Sequence, residues 1–127
     1  MSELIVVKVG TGVLTRAADG RLDGGSLVRL VAGLAEQVRA GRRIILVSSG
    51  AVGAGVSALG LSRYPDVLAE KQAAAAVGQA RLMHVYENLF SHFDLCIAQV
   101  LLTGRNLRSD EVSSRVKDTM DLSLIHI

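Results

Sequence analysis

The sequence predicts an α/β domain built on a mainly parallel sheet. Leu4-Ile-Val-Val-Lys-Val9 and Ile44-Ile-Leu-Val47 are short, nearly continuous apolar runs rich in β-branched residues. Runs of that kind belong to strands buried on both faces, as in parallel sheets. Between them lies a segment with apolar residues at three- and four-residue steps, the helical period. The order along the chain then reads strand, helix, strand, helices, strand, helix, which a parallel sheet with right-handed crossovers accounts for.

The first strand ends in Gly10-Thr-Gly12, read as a turn of small residues, and Thr15 to Gly25 is a polar, glycine-bearing loop. Ser26 is the expected N-cap of a helix carrying Leu27, Leu30, Val31, Leu34, Ala35 and Val38 on one face, with Gly41 as its stop. The second strand leads directly into Ser48-Ser-Gly-Ala-Val-Gly-Ala-Gly55, which should open a short helix. A longer, alanine-rich helix is predicted from Pro65-Asp66 to about Phe93. Gly78 lies inside it, where glycine costs about 1 kcal/mol relative to alanine, so a close approach is expected there. Leu95 to Leu102 is a third strand candidate, and Ser109 or Asp110 caps a last predicted helix through about Met120.

The chain has 127 residues, half of them hydrophobic, with one proline and one cysteine. That length suits one domain, and the apolar fraction with a net charge of only +2 excludes a disordered chain. Cys96 has no partner for a disulfide, which fits a reducing, cytoplasmic compartment. No apolar run approaches the roughly 18 residues of a spanning helix, and Met-Ser-Glu-Leu is not a signal-peptide start. Fourteen basic against 12 acidic residues is nearly balanced, and only two Phe and two Tyr could stack on bases. Neither a membrane nor a nucleic-acid partner is therefore expected.

Ligands of open parallel sheets bind beyond the carboxyl ends of strands, where two glycine-bearing turns fall. In Lys8-Val-Gly-Thr-Gly12 the glycines allow backbone N–H groups to approach phosphate oxygens, and Lys8 supplies a positive charge. The spacing matches neither of the common phosphate-loop patterns, so a tight turn beside a lysine that snorkels to solvent would also explain it. The second turn, Ser48-Ser-Gly-Ala51, precedes a helix whose N–H groups and dipole suit a phosphate or carboxylate, with Ser49 adding a hydroxyl. Simple capping by Ser48 or Ser49 is the alternative. His84, His92 and His126 show no metal-ligand spacing with carboxylates or Cys96, and Cys96 reads as a core residue. Arg42-Arg43 and Arg105-Asn-Leu-Arg108 read as solvated basic faces, and Ala73 to Ala76 as a close-packing surface.

Four blocks together resemble the amino acid kinase family: Val6 to Leu14, Val47 to Gly55, Lys71 to Gln79 and Gln99 to Thr103. Within it they are most similar to the members that phosphorylate glutamate in the first committed step of proline biosynthesis. The resemblance implies a three-layer α/β/α sandwich and transfer of the ATP γ-phosphoryl group to the side-chain carboxylate of L-glutamate, with Mg²⁺. It assigns Lys8 to the transferred phosphoryl group, Gly10, Thr11 and Gly12 to the loop that cradles the phosphate, and Ser49, Gly50 and Ala51 to the loop that holds the amino acid. A full-length homo-oligomer is also implied. The family's Asn/Asp-rich substrate loop and its nucleotide-binding half, with a second lysine, would follow this segment.

Residues 1–121 are accordingly expected to be the amino-terminal, substrate-side part of an incomplete kinase domain, inactive alone. The alternatives are a stand-alone anion- or nucleotide-binding module and a non-catalytic partner subunit. Leu122-Ser-Leu-Ile-His-Ile127 is expected to be a non-native read-through tail, because a mosaic-end sequencing adapter read in frame encodes those six residues.

Overall fold

The computed structural model describes residues 3–100, and the predicted helix at 109–120 and the tail at 122–127 lie outside them. The first strand, β1, is Leu4–Val9, and the four-residue helix α1, Thr11–Leu14, follows it at once. Gly10-Thr-Gly12 is thus a helix entrance rather than a simple turn. The long helix α2 spans Gly24–Arg39, the strand β2 spans Arg43–Ser48, and the helices α3 and α4 span Ala51–Leu59 and Leu68–Ser91. The strands pair in parallel with Leu4 opposite Arg43 and Val9 opposite Ser48, so β1, α2 and β2 form the expected crossover unit.

The cap of α2 is Asp23 rather than Ser26. Its carboxylate accepts hydrogen bonds from the N–H groups of Gly25 at 3.1 Å and Ser26 at 3.4 Å, and from the Ser26 hydroxyl at 3.1 Å. The helix therefore opens on Gly24-Gly25, poor helix formers that hide its start in the sequence. These bonds, those of Ser26 foremost, hold the Asp23 carboxyl below its ordinary pKa. A depressed carboxyl contributes stability that is present above the ordinary carboxylate range and lost as pH falls through the folded value. Asp23→Ala should lower the unfolding midpoint at neutral pH. The advantage of the native residue over Asp23→Asn should fade on acidification, and an unchanged advantage in acid denaturation curves would contradict that. At the other end of α2, Gly41 adopts a φ of +89°, and Arg42 N–H bonds Gln37 O at 3.1 Å, closing the helix as expected.

The core lies on one face of the sheet. Val7 and Val9 of β1 and Ile44 and Leu46 of β2 pack with Leu27, Val31 and Leu34 of α2 and with Leu82, Tyr86 and Phe90 of α4. Arg39 stacks on Phe93, its guanidinium carbon 5.2 Å from the ring centre, and ties the far ends of α2 and α4 together. On the opposite face Leu4, Val6 and Val47 are 43%, 61% and 48% exposed. Burial of β1 on both faces is therefore not observed among the described residues, and no described helix forms the third layer there. An apolar run reveals that a strand can be covered, not which segment covers it. Residues 95–100 likewise form no ladder with β1 or β2; Leu95 and Ile97 rest against the core without pairing, and Cys96 is exposed rather than buried.

The helices α3 and α4 cross at a backbone-to-backbone contact. A Cβ on Gly78 would stand 1.6 Å from the Ala51 carbonyl oxygen, and one on Gly55 1.9 Å from that of Ala74. The close approach predicted at Gly78 is thus real, with its partner at the first residue of α3. The buried residues of α4 (Ala74, Gly78, Leu82, Tyr86 and Phe90) recur every four positions and form one ridge along it.

Candidate functional site

The parallel register brings the two predicted turns together. Val9 is opposite Ser48, and Ser49 N–H donates to Val9 O at 3.0 Å, extending the ladder by one bond past the strand end. Gly10 to Gly12 and Ser49 to Ala51 therefore leave the carboxyl ends of adjacent strands side by side. That is the location at which open parallel sheets bind ligands.

Both turns open helices whose leading donors are unspent. No side chain caps α1 or α3, and neither has an acidic residue in its first turn. Among the described residues, the first bond of each turn is made further in, by Val13 N–H to Gly10 O at 3.1 Å and by Ala54 N–H to Gly50 O at 2.9 Å. The N–H groups of Gly10, Thr11 and Gly12, and of Gly50, Ala51 and Val52, donate to no described acceptor. Capping by Ser48 or Ser49, the alternative reading of the second turn, is not observed. Gly50 is the N-cap, with a φ of +109° that an L side chain rarely adopts. Unpaired backbone donors beside a helix N-terminus make a ready anion site.

The described glycines differ in what surrounds them, and the difference bears on the phosphate reading. Gly53, Gly55 and Gly78 have protein atoms where a Cβ would be. Gly10 and Gly12 have nothing within 4 Å of theirs and no positive φ, and Gly10 is extended at φ −82° and ψ 166°. Neither chain packing nor backbone conformation calls for glycine at those two positions. Gly24 and Gly33 are open in the same way, so the openness leaves room for a phosphate at Gly10 and Gly12 without itself requiring one.

Lys8 stands on the sheet face opposite the core, in register with Val47, exposed and without an ion-pair partner among the described residues. It is the basic residue nearest in sequence to Gly10–Gly12. Thr11 is half-buried and its carbonyl accepts from the Thr15 hydroxyl at 2.7 Å, which steadies α1. Arg42, read as part of a solvated basic face, bonds Glu3 at 3.2 Å and Gln37 at 2.6 Å and is structural. A hollow of about 260 Å³ beside His84, Glu87, Asn88 and Ser91 contains none of the predicted site residues. No group of His, Cys, Asp and Glu that could hold a metal occurs among the described residues, and none of their helices is long and apolar enough to cross a membrane.

Sequence reading missed Tyr86. This residue of α4, 3% exposed, places its hydroxyl 2.6 Å from the Ser48 Oγ at the foot of the second turn. A tyrosine on a helical ridge reads as core, and only the fold brings it to a loop 38 residues earlier.

Two clusters of N–H groups without described acceptors, with an exposed lysine, thus stand at the ends of neighbouring parallel strands in an α/β protein. In comparison with known proteins the amino acid kinase family profile matches residues 3–124, and the chain belongs to that family. It is similar to the glutamate 5-kinase of Moorella thermoacetica, with 55% identity over 113 residues that make up 87% of this chain and 30% of that protein. The glutamate 5-kinase of Geobacter sp. (strain M21) is 48% identical over 94% of this chain and 32% of its own length. That of Cyanothece sp. (strain PCC 7425) is 50% identical over 84% and 29%. The chain spans less than a third of these relatives.

Proposed function

We propose that this chain is the amino-terminal, substrate-side part of an ATP-dependent kinase that phosphorylates the side-chain carboxylate of L-glutamate, in the first step of proline biosynthesis and in the cytoplasm. The observation that carries the proposal is the adjacency of the two N–H clusters, because phosphoryl transfer to a carboxylate requires two anions to be held in contact. The names of the relatives supply the substrate.

In this reading Gly10, Thr11 and Gly12 hold the phosphate, and Ser49, Gly50 and Ala51 hold the amino acid. A carboxylate oxygen of glutamate forms the new bond to the γ-phosphorus, the bond to the bridging oxygen breaks, and ADP leaves with that electron pair. The product is an acyl phosphate. Lys8 neutralises charge on the transferred group, and the N–H groups fix the oxygens without reorganising during the step. Mg²⁺ would travel with the nucleotide, since it keeps water and phosphate oxygens as most of its ligands. The described residues suit the phosphate end of such a complex and offer the metal no carboxylate cluster.

The test is glutamate-dependent ADP production by the full-length gene product. Turnover that ignores glutamate would overturn the substrate assignment, and calorimetric binding of ATP to residues 1–127 alone would favour the stand-alone module. A variant pair separates ligand from fold. Gly12→Ala puts a methyl group into open space within a helix, so stability should hold or rise by up to about 1 kcal/mol. ATP binding should weaken at least tenfold in the same variant. Gly10→Ala should behave likewise, and unchanged nucleotide affinity in both would remove the cradle role.

A further inference from the structure

We propose that Tyr86 is a positioning residue for the substrate loop: acting through Ser48, its buried hydroxyl fixes the Ser49 carbonyl and thereby keeps the Gly50 N–H free for the ligand carboxylate. The proposal rests on the functional reading above.

The proton inventory gives the network a direction. The Ser48 hydroxyl donates to Ser49 O at 2.8 Å and lies 2.6 Å from the Tyr86 hydroxyl. A serine hydroxyl has one proton, so the Tyr86 O–H must be the donor to Ser48. The chain runs Tyr86 O–H to Ser48 Oγ–H to Ser49 O=C, with each bond polarising the next. Burial raises the Tyr86 pKa above its ordinary value, with the Ser48 bond acting in the other direction, so the phenol keeps its proton at neutral pH.

The consequence lies one bond further along. In a planar trans peptide the carbonyl and the N–H point opposite ways. Holding Ser49 O toward Ser48 therefore turns Gly50 N–H away from the Ser48–Tyr86 pair. The preceding peptide plane is fixed independently, by Ser49 N–H on Val9 O. The Ser49–Gly50 plane has no such anchor: among the described residues Ser49 O accepts only from Ser48. Gly50, at φ +109°, has the freedom to let that plane rotate once the bond is lost. Tyr86 is itself held by the core ridge, its ring 6.3 Å from that of Phe90.

Tyr86→Phe removes the donor and keeps the ring. In the full-length protein it should raise KM for glutamate about five- to tenfold, the scale of one misaligned neutral hydrogen bond, and leave KM for ATP unchanged. Ser48→Ala should do the same, Ser48→Thr should retain native behaviour, and the double variant Tyr86→Phe/Ser48→Ala should be no worse than the poorer single variant. A glutamate KM that stays native, or that rises in step with the ATP KM, overturns the positioning role. A second readout does not depend on the substrate assignment: the Gly50 amide NMR resonance should shift in Tyr86→Phe, and an unmoved resonance also overturns the proposal. If native protein shows no glutamate-dependent turnover while the Gly50 amide shifts, the functional reading fails and the positioning role stands.

Discussion

Replacing Lys8 by alanine is expected to lower turnover of the proposed full-length kinase by about 10²–10³-fold, the usual loss when one preorganised electrostatic contact to a transition state is removed. The structure explains why the fold should not suffer with it. Lys8 is exposed on the uncovered face of β1 and joins none of the described ion pairs. Substitutions at such positions stay within about 0.5 kcal/mol. The gain it provides is Coulombic and appears only when phosphate arrives; two unit charges 4 Å apart at an effective dielectric constant near 20 attract by about 4 kcal/mol. Lys8→Arg should recover only part of the rate, because a planar fork does not replace a compact ammonium. Steady-state kinetics beside a denaturation curve would check both halves. Native turnover in Lys8→Ala would end the assignment.

The second large effect is on stability. Gly78→Ala should cost about 3 kcal/mol or more, a substantial share of the 5–15 kcal/mol typical of a whole domain. Overpacking usually costs about 1–3 kcal/mol because side chains can move aside. At Gly78 the obstacle is main chain: the Ala51 carbonyl at 1.6 Å and the Gly55 nitrogen at 2.5 Å from the would-be Cβ. The helix-propensity gain of about 1 kcal/mol cannot offset the displacement of an entire helix. Gly33→Ala is the control, since its Cβ would enter open space on α2 and should stabilise by up to about that same 1 kcal/mol. A Gly78→Ala denaturation midpoint equal to that of Gly33→Ala would show that α3 can slide freely along α4. The displaced atom belongs to Ala51, so the surviving folded fraction of the proposed full-length kinase should also bind glutamate less well.

These two residues show what could be read from the chain beforehand. Lys8 and both glycine turns were legible because strand ends are marked by abrupt changes of residue type, and the parallel order put both turns on one edge. Gly78 was legible because an interior helix glycine has a cost that implies a neighbour, although not which one. The Asp23 cap was hidden by two glycines that do not advertise a helix. The exposed face of β1 and the unpaired 95–100 segment depend on what lies alongside in space, as does the contact between Tyr86 and Ser48. Periodicity records which way a side chain faces, and it carries no information about which segment arrives to meet it.

The pairing of Tyr86 with Ser48 also equips the molecule with an optical signal. The chain has no tryptophan and only two tyrosines, one of them the partly exposed Tyr64 packed over Gly20. At wavelengths beyond the phenylalanine band, absorption and emission therefore come from two phenols in unlike surroundings, one of them hydrogen-bonded at the foot of the second turn. Rotation of the Ser49–Gly50 peptide would change that phenol's bond and hence its spectrum, so loss of the loop's orientation should be readable from the unlabelled chain.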